Sequence, residues 1–153
     1  MQYKSKEYNP ILHDLFKALS VKQPYAEYIA SGIKGIEVRS KPTKYRGKLL
    51  ICASRDGKPS DTAPGYGCTL AFVELYDCKP LSELTTEEWN RTKLPGTLIE
   101  ELRVKGRGFA WLLRNPRRVI EYPIKGQLGI FNLVFTKGVI MEYPTHIKNP
   151  IIE

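Results

Sequence analysis

Histidine and cysteine are scarce in this 153-residue chain, and long apolar runs are missing. The two histidines, His13 and His146, exclude a His-rich metal centre and argue against a Ser-His-Asp triad. The three cysteines, Cys52, Cys68 and Cys78, are an odd number and lack metal-ligand spacing. No apolar run approaches the roughly 18 residues of a membrane span. The opening MQYKSKEYNPILHDLF has neither an uninterrupted apolar stretch nor a small-residue cleavage site, so no secretory signal is expected. The expectation is a chain with free thiols in a reducing cytoplasm, with no membrane partner, no metal and no cofactor. No internal repeat is visible either.

What the chain does have is a core-forming composition and an uneven surplus of positive charge. Hydrophobic residues make up 42% and aromatics 10%, enough for a packed domain and too much for a disordered tail. Lys and Arg number 24 against 16 Asp and Glu, a net +8. From Lys34 to Lys58 eight bases face two acids, and from Arg103 to Lys125 seven bases face one acid. The stretch between them, Glu74 to Leu102, holds seven acids and three bases. If folding brings the two basic blocks together, they form a site for an anionic ligand such as RNA or a nucleotide. The plainer alternative is a solvated face that keeps a small protein soluble.

Hydrophobic periodicity organises the chain into short strands with few helices. Residues 1–16 read as an N-terminal extension, 17–136 as the domain, and 137–153 as a C-terminal segment that pairs at an edge or trails. Lys17–Val21 is a short strand. Gln23-Pro24 opens a two-turn helix, with proline placed at the first helical position. Ala26, Ile29 and Ala30 form its buried stripe, and Gly32 fits a left-handed C-cap. Gly35–Ser40 follows as a strand on which Ile36 and Val38 face one way, Glu37 and Arg39 the other. Gly47–Ser54 and Gly67–Asp77 are further strands. Leu81–Arg91 is a helix capped by Thr85 or Thr86. Gly108–Leu113 and Arg118–Tyr122 read as strands around an Arg114-Asn115-Pro116-Arg117 turn, and Gln127–Thr136 is the last strand. The fold class is mainly β with peripheral helices (α+β), drawn together as a small, mostly antiparallel barrel.

One block of the sequence carries more than periodicity. Gln23-Pro24 stands before the short helix. Ser31-Gly32-x-Lys34, Glu37-x-Arg39 and Tyr45-Arg46-Gly47 follow in order, before an apolar strand ending in Ala53-Ser54. This block resembles the ASCH domain family of small PUA-like β-barrels. Softer matches follow at Thr69–Asp77, Phe109-Ala110-Trp111, the Arg-Arg pair, and Pro123-Ile124-Lys125-Gly126 before Gly129-Ile130-Phe131. The resemblance spans about residues 17–135. It implies a cleft beside the GxKxxExR turn that takes RNA or a nucleotide. Some members are hydrolases: one branch is an amidohydrolase acting on N4-acetylcytidine, another has ribonuclease activity. In the amidohydrolase branch a Lys acts as base, a Thr three residues later as nucleophile, and a Glu on a following strand as proton donor. Lys34 and Glu74 match two of those positions, whereas Glu37 stands in place of the Thr. A carboxylate can act as base or nucleophile but is not a hydroxyl, so that mechanism does not transfer directly. Thr43 and Ser54 are nearby hydroxyl alternatives.

The candidate catalytic residues are therefore Lys34, Glu37 and Glu74. Lys34, just past a helix end, can face a phosphate, act as a base if desolvated, or simply be an exposed lysine favoured by the helix dipole. Glu37 and Arg39 pair structurally or serve a ligand. Glu74 interrupts an apolar strand, so it either meets solvent or takes a cationic partner, and a cation from the Lys34–Arg39 strand is the expected one. Lys34, Glu37, Arg39 and Glu74 are accordingly expected to line one cleft. The candidate nucleic-acid contacts are Lys34, Arg39, Lys44, Tyr45, Arg46, Arg114, Arg117 and Arg118. Tyr45, flanked by two bases, is the stronger stacking candidate, and Trp111 reads better as core. The function expected is RNA or nucleotide binding, with a hydrolase of a modified nucleoside or of RNA, or a protein-interaction module, as alternatives.

Overall fold

The computed structural model describes residues 2–55 and 65–144. Among the described residues seven strands form one sheet: β1 (Gln2–Tyr3), β2 (His13–Val21), β3 (Ile36–Arg39), β4 (Gly47–Ala53), β5 (Cys68–Pro80), β6 (Phe109–Arg118) and β7 (Ile130–Thr136). Three α-helices accompany it: α1 (Tyr25–Ala30), α2 (Thr86–Arg91) and α3 (Gly96–Lys105). The strand order is β1-β7-β2-β4-β5-β6-β3. β2 and β4 run parallel, with Val21 beside Ala53, while the other neighbours are antiparallel. The mainly-β class with peripheral helices holds, but strand pairing does not close the sheet into a barrel. Its two ends, β1 and β3, are its shortest strands at two and four residues and do not pair with each other.

Alternation along each strand builds a core on both sides of the sheet. Leu19, Val21, Leu49, Ile51, Val73, Leu75, Trp111 and Leu113 face α1, which contributes Ala26, Ile29 and Ala30. Ala18, Leu50, Cys52, Phe72, Leu133 and Phe135 fill the other side. Ile36, Ala110 and Leu112 continue that second side toward Leu81, Leu84 and Trp89 of the α2 region. No helix among the described residues is long and apolar enough to cross a membrane.

The helix ends follow from local chemistry. Pro24 lies one place before α1 rather than inside its first turn, and the Gln23–Pro24 peptide is cis. The Gln23 side chain instead satisfies an orphan amide, its Oε1 accepting from Glu27 N at 2.9 Å. Gly32 takes φ +84° after the helix, as a left-handed cap requires. The expected 81–91 helix is split into a 3-10 turn, Leu81–Glu83, and α2. Thr85 is the cap: its Oγ1 accepts from Glu88 N at 3.1 Å while its own N–H donates to Glu88 Oε1 at 2.9 Å.

Two strand readings change. β2 begins at His13, four residues before the expected start, because His13–Leu19 pair continuously with β7. The Arg114–Arg117 segment is not a turn between two strands. β6 runs through it to Arg118, and Asn115 takes φ +56° within the strand. The β5–β6 register shifts between Phe72 and Glu74, so the strand pair absorbs the irregularity as a bulge. Beyond β6, Val119 bridges Glu142 rather than opening a strand to Tyr122.

Candidate functional site

The parallel pairing of β2 and β4 brings both chains out at the same end of the sheet. A cleft of about 1110 Å³ opens there. Ser20 and Lys22 come from the end of β2, Ser54 and Arg55 from the end of β4, Glu37 and Arg39 from β3. The fourth wall is the loop before β7, including Lys125, Gly126 and Gly129. That loop is held at two points. Lys125 N donates to Gln2 Oε1 at 3.1 Å. Gly126 lies so close to β2 that a Cβ there would sit 2.5 Å from Ser20 Oγ and force that hydroxyl to shift.

β3 carries a connected row of charges toward this cleft. Lys34 turns inward after α1 and is only 2% exposed. Its Nζ donates to Thr92 O at 2.5 Å and lies 3.5 Å from Glu37 Oε1 and 5.2 Å from the Tyr25 ring centre. Burial pulls the Lys34 pKa below the ordinary lysine value, and the neighbouring Glu37 carboxylate only partly opposes this. Arg39 Nε then donates to Glu37 Oε2 at 3.0 Å, and Arg39 Nη2 to Ser20 O at 2.9 Å. The Arg39 guanidinium also rests 5.9 Å from the Trp111 ring centre. Glu37 and Arg39 line the cleft, whereas Lys34 stands behind them and is not among its lining residues. Of the readings open for Lys34, the exposed lysine at a helix end is thus excluded: Lys34 is an internal anchor between Glu37 and the Thr92 carbonyl.

Glu74 does not join this row. Its neighbours Val73 and Leu75 pack in the same cluster as Trp111, and Trp111 is directly opposite Glu37 in the β3–β6 register. Alternation therefore sends Glu74 to the opposite face from Glu37. Its partner comes from directly across the sheet: Arg114 Nε donates to Glu74 Oε1 at 2.8 Å, and Asn115 Nδ2 is 3.4 Å from the same oxygen. The Arg114 hydrogen bond holds the Glu74 carboxyl below its usual range. The shared cleft of Lys34, Glu37, Arg39 and Glu74 is accordingly reduced to Glu37 and Arg39, with Lys34 behind.

The remaining predicted contacts lie outside the cleft lining. Lys44 is exposed on the segment before β4. Arg46 donates to the carbonyls of Thr43 and Tyr45 and lies 3.8 Å from Asp77. Arg117 pairs with Glu142 at 3.1 Å, and Arg118 pairs with Glu27. Tyr45 gives its hydroxyl to Lys48 O and packs its ring on the α1-side core. Trp111 is core, as read, and donates Nε1 to Lys41 O at 3.0 Å. Of the two alternative hydroxyls, Ser54 lines the cleft, while Thr43 Oγ1 accepts from Tyr45 N at 3.1 Å.

The sequence reading missed Lys22, Arg55 and Lys125 as site residues. Arg55 and Lys125 were counted in the two basic blocks, and Lys22 adjoins Gln23-Pro24, but only the strand order brings the three together with Arg39. The cleft takes Arg39 and Arg55 from the first basic block, Lys125 alone from the second, and Lys22 from neither.

An open mixed sheet with one parallel strand pair at its centre is the fold of this chain. Solved structures share it: ASCH from Zymomonas mobilis has a TM-score of 0.56 at 18% identity, covering 70% of this chain and 72% of its own. A Tyr-to-Phe variant of that protein gives 0.55, also at 18% identity, with 70% and 74% covered. The ASCH domain family matches residues 19–129, and the chain belongs to that family. Activating signal cointegrator 1 of Homo sapiens is 32% identical over 136 residues, 75% of this chain and 22% of its own length. The Mus musculus protein of that name is 31% identical over the same extent. The chain thus spans about a fifth of the length of these curated relatives.

Proposed function

We propose that this ASCH domain binds RNA or a nucleotide in its basic cleft. One observation carries the reading. Lys22, Arg39, Arg55 and Lys125 arrive from four separate segments, and among the described residues Glu37 is the one carboxylate lining the same cleft. Glu37 is itself engaged by Arg39 and Lys34, so its charge is largely offset where a ligand would enter. Cations gathered from distant parts of a chain onto one concavity suit a polyanion.

The test is anisotropy of a labelled single-stranded RNA at increasing salt. Affinity falls with a logarithmic slope of roughly −0.7 per phosphate contacted. Lys125→Ala, an exposed position, weakens binding and makes the slope shallower. Free nucleotide competes with the RNA, which an acidic protein partner in the same groove would not require. Absent RNA binding, or affinity that ignores salt, refutes the reading.

A further inference from the structure

The geometry points to a cleft that grips the sugar–phosphate backbone of a short single strand and leaves the bases facing out. This rests on the proposed RNA-binding reading and names which part of the ligand is recognised.

Among the described residues, none that lines the cleft is aromatic. Sequence-tolerant recognition of single strands ordinarily adds base stacking on aromatic faces to a basic groove. The two rings that the sequence offered for stacking are used elsewhere. Trp111 is buried in the core with its indole N–H on Lys41 O, and Tyr45 is packed on the α1-side cluster. An arginine plane can replace an aromatic ring under a base. Arg39, however, is held by Glu37 and the Ser20 carbonyl and lies near the Trp111 ring, so its guanidinium is not a free platform. The apolar part of the wall is divided among separate aliphatic side chains, such as Val38, Pro123 and Leu128, which make no flat slot for a base.

Size argues in the same direction. Small-molecule pockets run to roughly 300–1,000 Å³ and bury most of their ligand. This one is about 1110 Å³, slightly above that range. It suits a run of backbone better than an enclosed nucleoside. Cations on four sides, with Lys125 carried on a loop tied to β1, give phosphate contacts that position a strand without reading its sequence.

The experiment is a competition ladder against a short labelled RNA bound to the full chain. The competitors are free nucleosides, nucleoside monophosphates, unlabelled RNA of the same length, and a ribose–phosphate oligomer of that length lacking bases. The base-free oligomer competes nearly as well as RNA, the monophosphates weakly, and the nucleosides not at all. A site that stacks bases would lose about 5-fold to 150-fold for each base removed. If RNA binds but the base-free oligomer fails, or if nucleosides compete as well as monophosphates, backbone recognition is overturned while RNA binding stands. If no RNA binds, the proposed function fails and this inference with it.

Discussion

Lys34→Met removes a buried ammonium while keeping most of the side chain's volume. In the folded chain Lys34 is 2% exposed and its Nζ serves the Thr92 carbonyl and the Glu37 carboxylate. Thr92 is fully buried, so its carbonyl has no water to turn to once the donor is gone. An orphaned buried acceptor costs about 1–3 kcal/mol. Breaking a buried ion pair costs roughly 3–5 kcal/mol when the surviving charge is left alone. Here Glu37 keeps Arg39 at 3.0 Å, which holds the loss toward the lower end. The expected destabilisation is about 3 kcal/mol, or roughly 6–12 °C in Tm for a chain of this length. Urea unfolding and calorimetry at pH 7 measure it. The pH dependence supplies a second check. Burial places the folded pKa of Lys34 below the ordinary 10.5, so between those values the unfolded chain binds more protons than the folded one. Wild-type stability therefore rises with pH through that window, as the amine sheds the charge that burial penalises. The variant lacks this gain, and the gap between the two proteins widens toward pH 10. A Lys34→Met protein that melts with the wild type, or a gap that narrows as pH rises, refutes the assignment of Lys34 as an internal anchor.

Glu74→Gln is expected to leave Tm and RNA affinity unchanged, because the Glu74–Arg114 pair is solvent-exposed and lies across the sheet from the cleft; a loss of RNA affinity would return Glu74 to the site. Cys52 and Cys68 are buried, and burial pushes the first thiol far up and the second, with help from Glu121, to about 12. Native protein treated with iodoacetamide near pH 8 should therefore be alkylated at Cys78 alone among the three, and urea-unfolded protein at all three, with mass spectrometry locating the adducts. Gly108→Ala places a Cβ 2.9 Å from Leu81 Cδ1 at a backbone φ of +110°, so it should destabilise by roughly 1–3 kcal/mol in urea unfolding, and an unchanged midpoint would show that the turn is not strained.

Local patterns made much of the fold legible. The alternation of Ile36 and Val38 against Glu37 and Arg39, the Ala26–Ile29–Ala30 stripe, the Thr85 cap and the left-handed Gly32 all follow from periods and residue chemistry a few positions apart. What was not legible depends on distant partners. Asn115-Pro116 reads as a turn, yet pairing with β5 carries the strand through it. Lys34 reads as exposed because its acceptor, Thr92, is 58 positions away in sequence. Glu74 found its cation directly across the sheet at Arg114, not on β3. Glu37 and Arg39 were legible as cleft residues because they follow the family pattern. Lys22 and Arg55 were not, since neither is basic in a periodic context and only the parallel register makes them neighbours.

That parallel register has a consequence for how such a domain can change. In an antiparallel hairpin, lengthening the connection moves one tip. Here two separate connections, after Val21 and after Ala53, leave the sheet side by side, and the cleft is framed by both. The first carries Lys22 into the cleft and the second Ser54 and Arg55, so a change of charge at any of these positions alters the same groove and leaves every strand pair in place. The strand pairing and the charge of the groove are thus set by different residues. Exchanging the single residues Lys22 and Arg55 for those of another ASCH domain should therefore change the charge of the groove while the host keeps its own stability.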